Sequence, residues 1–385
     1  IGYVLPNIPV ISETFIGTEY RAMIRRGHRL TPLVVSRGGL DRPGYDKSIA
    51  QHSAFIDQAG PIDFLLSRFM PSPGFRRAIR FAFAQKSIRP RSLLWSGARL
   101  AVLARRAGVD HLHAHFAQAS AANAIVAARL IGATVSFVGH GADIYSSPAD
   151  LELKLRSVDL AVAVCDDMAR MFKKMAPETE IARIMCGVEP DRFRPMEDTG
   201  STNEQLLFIG RLIEKKGLMD MLEALAAIPL PRRPNLDIVG DGPLMSALDH
   251  GIRNRALGHS VRLLGARDPA WIMRNGPHYM AFVGPFKVAE DGDRDTGPLV
   301  VKEAMAMGLP VITTPLSGLP EEVADGCVQI VPSGDVGSLR AAIEQIAAMD
   351  QEDRKARGRR ARERIIRHLN ADTLAERFSA LIERL

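Results

Sequence analysis

Nowhere in the 385 residues do about 18 apolar residues run together, so no helix is expected to span a bilayer. Cysteine is scarce as well. Cys165, Cys186 and Cys327 are scattered and odd in number, which makes neither a disulfide framework nor a metal site and favours a reducing cytoplasm. They read as small buried apolar residues. No internal repeat, low-complexity tract or nucleic-acid-binding motif is visible, and no GxSxG elbow, HExxH pair or GxxxxGK[ST] loop. Nucleophile-elbow hydrolases, zincins and P-loop NTPases are thereby set aside. The chain opens at Ile1 in a strand-like YVLP with no Met, which implies trimming of the first residues.

What is present is an alternation. Strand-like runs at Ile1–Leu5, Leu33–Ser36, His111–His113, Val135–Val138, Leu160–Val164 and Ile181–Ile184 are separated by helical patterns. Parallel βαβ units with helices on both faces follow from that order. From about residue 203 the series starts again, with Gln205–Ile209, Leu236–Val239, Val261–Leu264, Tyr279–Val283, Val311–Thr313 and Gln329–Val331. The length is too great for one core and fits two domains. Two Rossmann-like α/β halves are expected, and ligands in such sheets lie beyond the carboxyl ends of the strands. The charged run Glu352–Arg364 reads as a solvated helix face with Arg and Glu spaced for mutual pairing.

The stretch Phe282–Glu322 is the focus of the second half. Acids gather at Glu290, Asp291, Asp293 and Asp295, then Gly297-Pro298 opens an apolar run from Leu299 to Met307, and Gly308 closes it. Proline suits the first helical position and glycine the left-handed stop. Five residues at ~1.5 Å rise place Glu303 about 8 Å along the axis from Pro298. A helix N-terminus is an anion site, and carboxylates at two depths beside it can grip hydroxyls on two parts of one ligand. An EF-hand counted from Asp291 fails, because Thr296 and Lys302 stand where Gly and Glu are needed. A metal-chelating Asp-x-Asp at Asp293 and Asp295 is the stronger rival.

Gly210-Arg211 to Lys216-Gly217 follows the strand LLFIG, so two cations can meet a diphosphate there. Gly240-Asp241-Gly242 lacks the third glycine of a dinucleotide fingerprint, Met245 standing in its place, and reads as a tight strand-to-helix turn. In the first half, Ser12-Glu13-Thr14 can cap the first helix, and His140, between Gly139 and Gly141, ends a strand shortly before Asp143. His111, His113 and His115 alternate along one strand and would share a face. The helix-borne or cysteine ligands usual in a zinc site are absent, so no metal ligands are assigned.

Asp295-x7-Glu303, in the setting DTGPLVVKEAMAMGLPV, resembles the Glu-x7-Glu signature of retaining glycosyltransferases of family four (glycosyl transferases group 1), with Asp295 in place of the first Glu. Phe137 to Asp143 is similar to that family's F-T-x-H-G-x-D pattern, and Cys186 to Pro195 resembles its NGVD-x-x-x-F-x-P hinge. The likeness runs through nearly the whole chain. It implies the GT-B fold, two Rossmann-like domains facing a cleft: residues 1–190 holding the acceptor, 191–370 holding a nucleotide-sugar, and a helix at 371–385 crossing back to the first domain. It implies transfer of a sugar, a hexosyl group, from a UDP-, GDP- or other nucleoside-diphosphate sugar to a saccharide or lipid-linked acceptor of polysaccharide or lipopolysaccharide synthesis. Configuration would be retained, without metal or cofactor. The donor would be held by Gly210, Arg211, Lys216, Gly265, Asp295, Gly297, Pro298, Leu299 and Glu303, with Arg211 and Lys216 neutralising the leaving diphosphate. The acceptor would meet Ser12, Glu13, Thr14, His140 and Asp143. His140, Arg211, Lys216 and Asp295 are the catalytic candidates. A sugar-nucleotide epimerase, a metal-dependent transferase and a non-catalytic GT-B partner in polysaccharide assembly stay open as alternatives.

The net charge of +6 is modest, but its placement is uneven. From Phe64 to Val109 there is no acid, while Arg68, Arg76, Arg77, Arg80, Lys86, Arg89, Arg91, Arg99, Arg105 and Arg106 are interleaved with Phe69, Phe75, Phe81, Phe83 and Trp95. Either solvated helical faces with aromatic undersides or an interfacial segment for anionic lipid would use that pattern. A peripheral place at the inner face of the cell membrane is the expectation.

Overall fold

The computed structural model describes residues 1–8, 14–37, 49, 51–60, 73–146, 148–195 and 204–385. The chain forms two compact units, one of residues 1–186 with 372–385, the other of residues 187–371. The first break falls inside the hinge motif, between Cys186 and Gly187. In the second unit the outgoing and returning chains are tied together, since Val188 N donates to Leu369 O at 3.0 Å and Ala371 N to Val188 O at 2.9 Å.

The first unit holds a parallel seven-stranded sheet. Its strands are β1 (Gly2–Ile8), β2 (Thr31–Arg37), β3 (Ala54–Phe55), β4 (His111–His115), β5 (Thr134–Gly139), β6 (Leu160–Ala163) and β7 (Glu180–Arg183), in the order β3-β2-β1-β4-β5-β6-β7. The chain winds one way from β1 to β3 and the other way from β4 to β7, so the order reverses between β1 and β4. Apolar residues on both faces, such as Val4, Leu5, Leu112, Ala114, Phe137 and Val138, are buried as helix-covered strands require. The C-terminal helix Ala371–Ile382 packs on this unit, with Arg25 Nε donating to Asp372 at 2.8 Å and His28 Nε2 within 2.6 Å of Ser379 Oγ. The crossover implied by resemblance is therefore present.

The second unit repeats the scheme with β8 (Gln205–Ile209), β9 (Asn235–Val239), β10 (Val261–Gly265), β11 (Ala281–Gly284), β12 (Val311–Thr313) and β13 (Val328–Ile330), in the order β10-β9-β8-β11-β12-β13. Its reversal lies between β8 and β11. In both sheets every pairing is parallel. Two parallel Rossmann-like halves of this kind are the GT-B architecture.

Several expectations need correction. Pro298 is the N-cap of the helix Leu299–Ala306 and not its first residue. The two-residue strand β3 carries too few side chains to have shown a period. The helix Gln351–His368 is more than a solvated charged face: Gly358, Ala361 and Ile365 are buried, and Arg362 donates to the carbonyls of Pro190, Phe193 and Ala306. Of the cysteines, Cys327 is buried, while Cys165 and Cys186 keep some exposure. Among the described residues no helix is long and apolar enough to cross a membrane.

Candidate functional site

Ligands of doubly wound sheets bind outside the strand ends where the order reverses. In the second unit that point brings together the turn after β8 and the loop after β11. The turn is rigid. Gly210 N donates to Val239 O, Gly240 N to Gly265 O, and Leu212 N to Asp241 O, so the ends of β8, β9 and β10 are stitched by main chain. A Cβ on Gly240 (φ +150°) would lie 1.8 Å from Gly210 O, which requires glycine there. Gly240-Asp241-Gly242 is thus the tight turn its sequence suggested. Downstream, Gly217 (φ +65°) presses on Pro285 O in the same way and fixes the exit of the short helix Glu214–Lys216.

That turn delivers Lys216, nearly buried, to the switch point. Its Nζ donates to Asp295 Oδ2 at 2.8 Å and lies 4.9 Å from the centre of the Phe286 ring. Lys215 pairs in parallel with Asp293 at 2.9 Å and lies 3.8 Å from Asp295. Burial pushes the Lys216 ammonium down from its usual range, and Asp295 opposes that shift. Arg211, exposed, pairs with no carboxylate among the described residues but is close enough to act electrostatically on Lys216. The loop bearing the acids is shaped by Asp291, whose carboxylate accepts from Asp293 N at 2.8 Å. Gly297 takes a φ of +111° directly before Pro298 and the helix.

One turn into that helix, Glu303 is 9% exposed. Burial raises its pKa to about 7, against the opposing charges of Arg192 and Lys302. Arg192 comes from the hinge segment and donates to Glu189 at 3.0 Å. The structure therefore places Gly210, Arg211, Lys216, Asp295, Gly297, Pro298, Leu299 and Glu303 about one switch point, with Gly265 two strands further out, at the end of β10. Lys215 and Phe286 were missed by sequence reasoning. A second lysine beside Lys216 was the available signal for the first.

In the first unit the reversal lies between β1 and β4. Ser12 and Glu13 fall outside the described residues, while Thr14 begins the helix Thr14–Arg25. His140 rests against Phe15 at 4.3 Å and Phe116 at 4.8 Å, and burial drives its pKa down to about 3. Its Nε2 is 3.2 Å from His115 Nδ1. Asp143, buried, accepts from the main-chain N–H of Ala117 (2.9 Å), His140 (3.1 Å) and Gly141 (2.8 Å). Its carboxylate is thereby committed to holding the His140 loop. Phe116 has φ +70°, a strained value for a bulky residue, directly after the last residue of β4.

His111 and His113 share Ser136 Oγ, each at 2.8 Å, and His113 and His115 both turn toward Glu19 of the first helix. The shared face expected of the three histidines is present. Glu19 is the residue that sequence reasoning missed, although it sits among Ile16, Tyr20 and Met23 on the apolar stripe of its helix. Burial raises its pKa to about 7, while the Tyr3 hydroxyl, donating at 2.8 Å, opposes the shift.

Comparison with known proteins agrees with this geometry. Residues 12–192 match the model of Glycosyltransferase Family 4, and residues 191–364 that of Glycosyl transferases group 1. The chain is 26% identical to the putative colanic acid biosynthesis glycosyltransferase WcaL of Salmonella typhimurium, covering 100% of this chain and 99% of that protein. It is 26% identical to the amylovoran biosynthesis glycosyltransferase AmsK of Erwinia amylovora, over 89% of each. Among solved structures, Anabaena HepE in complex with UDP superposes with a TM-score of 0.74 at 15% identity over the full length of both chains. Sucrose-phosphate synthase from Thermosynechococcus elongatus gives 0.71 at 18% identity, covering 100% of this chain and 99% of that one. The chain belongs to the family-four glycosyltransferases.

Proposed function

We propose that the protein transfers a hexosyl group from a nucleoside-diphosphate sugar to a growing or lipid-linked saccharide, with retention and without a metal at the diphosphate. The observation that carries this reading is the Lys216–Asp295 pair at the switch point, beside the start of the Leu299–Ala306 helix. A diphosphate entering there displaces part of the carboxylate's hold on Lys216 and finds Arg211 open beside it. Two cations and the helix terminus then oppose the charge that develops as the sugar–phosphate bond breaks. Glu303 sits deeper and accepts from sugar or ribose hydroxyls. Asp293 and Asp295 each face a lysine ammonium, which supports cation balance by lysine over chelation by an Asp-x-Asp pair.

HepE has been solved with UDP and with UDP-glucose, and that likeness favours a UDP-sugar. The names of WcaL and AmsK concern colanic acid and amylovoran synthesis, which favours an exopolysaccharide acceptor. His140 and Thr14 are the acceptor-side candidates, and Asp143 acts on His140 by fixing its loop. Peripheral contact with anionic lipid would use the helix Pro73–Ala84, whose exposed Arg76, Arg77 and Arg80 accompany Phe83, 65% exposed. Phe81 cannot insert: it is buried and carries the Arg129 guanidinium 4.8 Å above its ring. A nucleotide-sugar panel screened by thermal shift tests the reading, because a ligand that binds only the native state raises Tm. No shift with any nucleoside diphosphate or nucleotide-sugar would sink it.

A further inference from the structure

We propose that Nε2 of His113, Nε2 of His115 and the carboxylate of Glu19 form a binding site for one divalent ion of the zinc type. The three ligand atoms all lie within 4.8 Å of one another. Glu19 Oε1 is 3.8 Å from His113 Nε2 and 3.6 Å from His115 Nε2. Those separations are too long for hydrogen bonds. Both histidines are almost wholly buried, and neither Nε2 has a hydrogen-bond partner. Buried polar nitrogens are nearly always satisfied, so two adjacent exceptions aimed at one carboxylate need an explanation. An ion at ~2.0–2.1 Å from imidazole nitrogen and carboxylate oxygen would set tetrahedral ligands roughly 3.3 Å apart. The two carboxylate–imidazole separations would have to shorten by a few tenths of an ångström.

The surroundings match what metal-bound imidazoles need. A ligating histidine donates its other ring N–H to an acceptor that fixes tautomer and orientation. His113 Nδ1 lies 2.8 Å from Ser136 Oγ, and His115 Nδ1 lies 3.2 Å from His140 Nε2. Ser136 in turn reaches His111 Nε2 at 2.8 Å, and His111 Nδ1 reaches Thr134 Oγ1 at 2.8 Å. With the ion on both Nε2 atoms, N–H donors run outward along each of these contacts without conflict. Glu19 is braced by the Tyr3 hydroxyl. The Phe378 ring, 4.6 Å from His113, and Val138, Val162 and Ile184 close a small cavity around Glu19 and His113. Two imidazoles and one carboxylate with no thiolate suit zinc and its neighbours better than calcium or magnesium.

Two consequences follow. The ion would clamp the first helix to β4 from within the first unit. It would also set the tautomer of His140, an acceptor-side candidate, whose Nε2 must accept from His115 and whose Nδ1 therefore carries the proton. The site is separate from the proposed diphosphate locus in the second unit, so either reading can fail alone.

The test uses the full chain without a histidine tag, stripped by a chelator and dialysed. Titration with Zn²⁺ is expected to show one equivalent bound per chain and a Tm rise of about 5 °C at a hundredfold excess over Kd. Glu19→Gln and His115→Ala, checked for fold by circular dichroism, are expected to lose that equivalent. Should both variants unfold, Co²⁺ on the wild type takes over: visible ligand-field bands of a four-coordinate ion and X-ray absorption with two imidazole shells are expected. Folded wild type that takes up no Zn²⁺, uptake unchanged in both folded variants, or Co²⁺ coordinated by oxygen alone would each overturn the proposal.

Discussion

The ammonium of Lys216 lies 2.8 Å from the carboxylate of Asp295, with both side chains shielded from solvent. A buried pair of this kind is costly to break from one side, because the remaining charge is left unpaired, at about 3–5 kcal/mol. Lys215 offers Asp295 a second, longer contact at 3.8 Å, so the loss for Lys216→Met is expected near 3 kcal/mol. Lys216→Met/Asp295→Asn should regain part of it. Urea denaturation of both singles and the double gives the cycle, and strictly additive losses would show that the pair is not coupled.

Glu303 provides a pH test. Its folded pKa is raised to about 7 from 4.5, so folding favours the protonated form. That contribution is complete below the unfolded value and is lost as pH rises through 7. Glu303→Gln, uncharged throughout, should gain about 2 kcal/mol relative to wild type between pH 5 and pH 8. Chemical denaturation at the two pH values measures the difference, and parallel curves would mean that Glu303 is ionised at both.

Much of this was legible beforehand. Gln205–Ile209 and Val311–Thr313 are observed with the bounds their sequences suggested, because continuous apolar runs between turn residues mark buried parallel strands. Lys216 and Glu303 were legible through spacing and resemblance. Glu19 was not, since a carboxylate on an apolar stripe acquires meaning only when β4 is laid beside it. The same holds for Arg362, whose capping of three carbonyls depends on segments far away in sequence, and for Phe81, which periodicity could not sort from its exposed neighbour Phe83.

Lysine balance at Asp293 and Asp295 predicts indifference to added Mg²⁺ or Mn²⁺. Protein dialysed free of both ions should turn over donor at the same rate with and without them. A rate that rises several-fold on adding either ion would favour chelation by the Asp-x-Asp pair.

The basic helix predicts salt-sensitive lipid binding. Each base near an anionic surface contributes ~1 kcal/mol and its attraction fades within a Debye length. Wild type should co-sediment with anionic vesicles in low salt and release in high salt, while Arg76→Ser/Arg77→Ser/Arg80→Ser should stay in solution. Equal pelleting of both proteins, or of neither, would end the membrane proposal and leave the transferase untouched.

The most direct test of the central claim is proton NMR of the anomeric position during turnover, using UDP- and GDP-hexoses with short and lipid-linked saccharide acceptors. Nucleotide release is expected to require acceptor, and the product to keep the donor's anomeric configuration. Lys216→Ala and Glu303→Ala are each expected to lower kcat/KM at least tenfold, or ~1.4 kcal/mol. Nucleotide release without acceptor, an inverted product, or wild-type kinetics in both variants would contradict it.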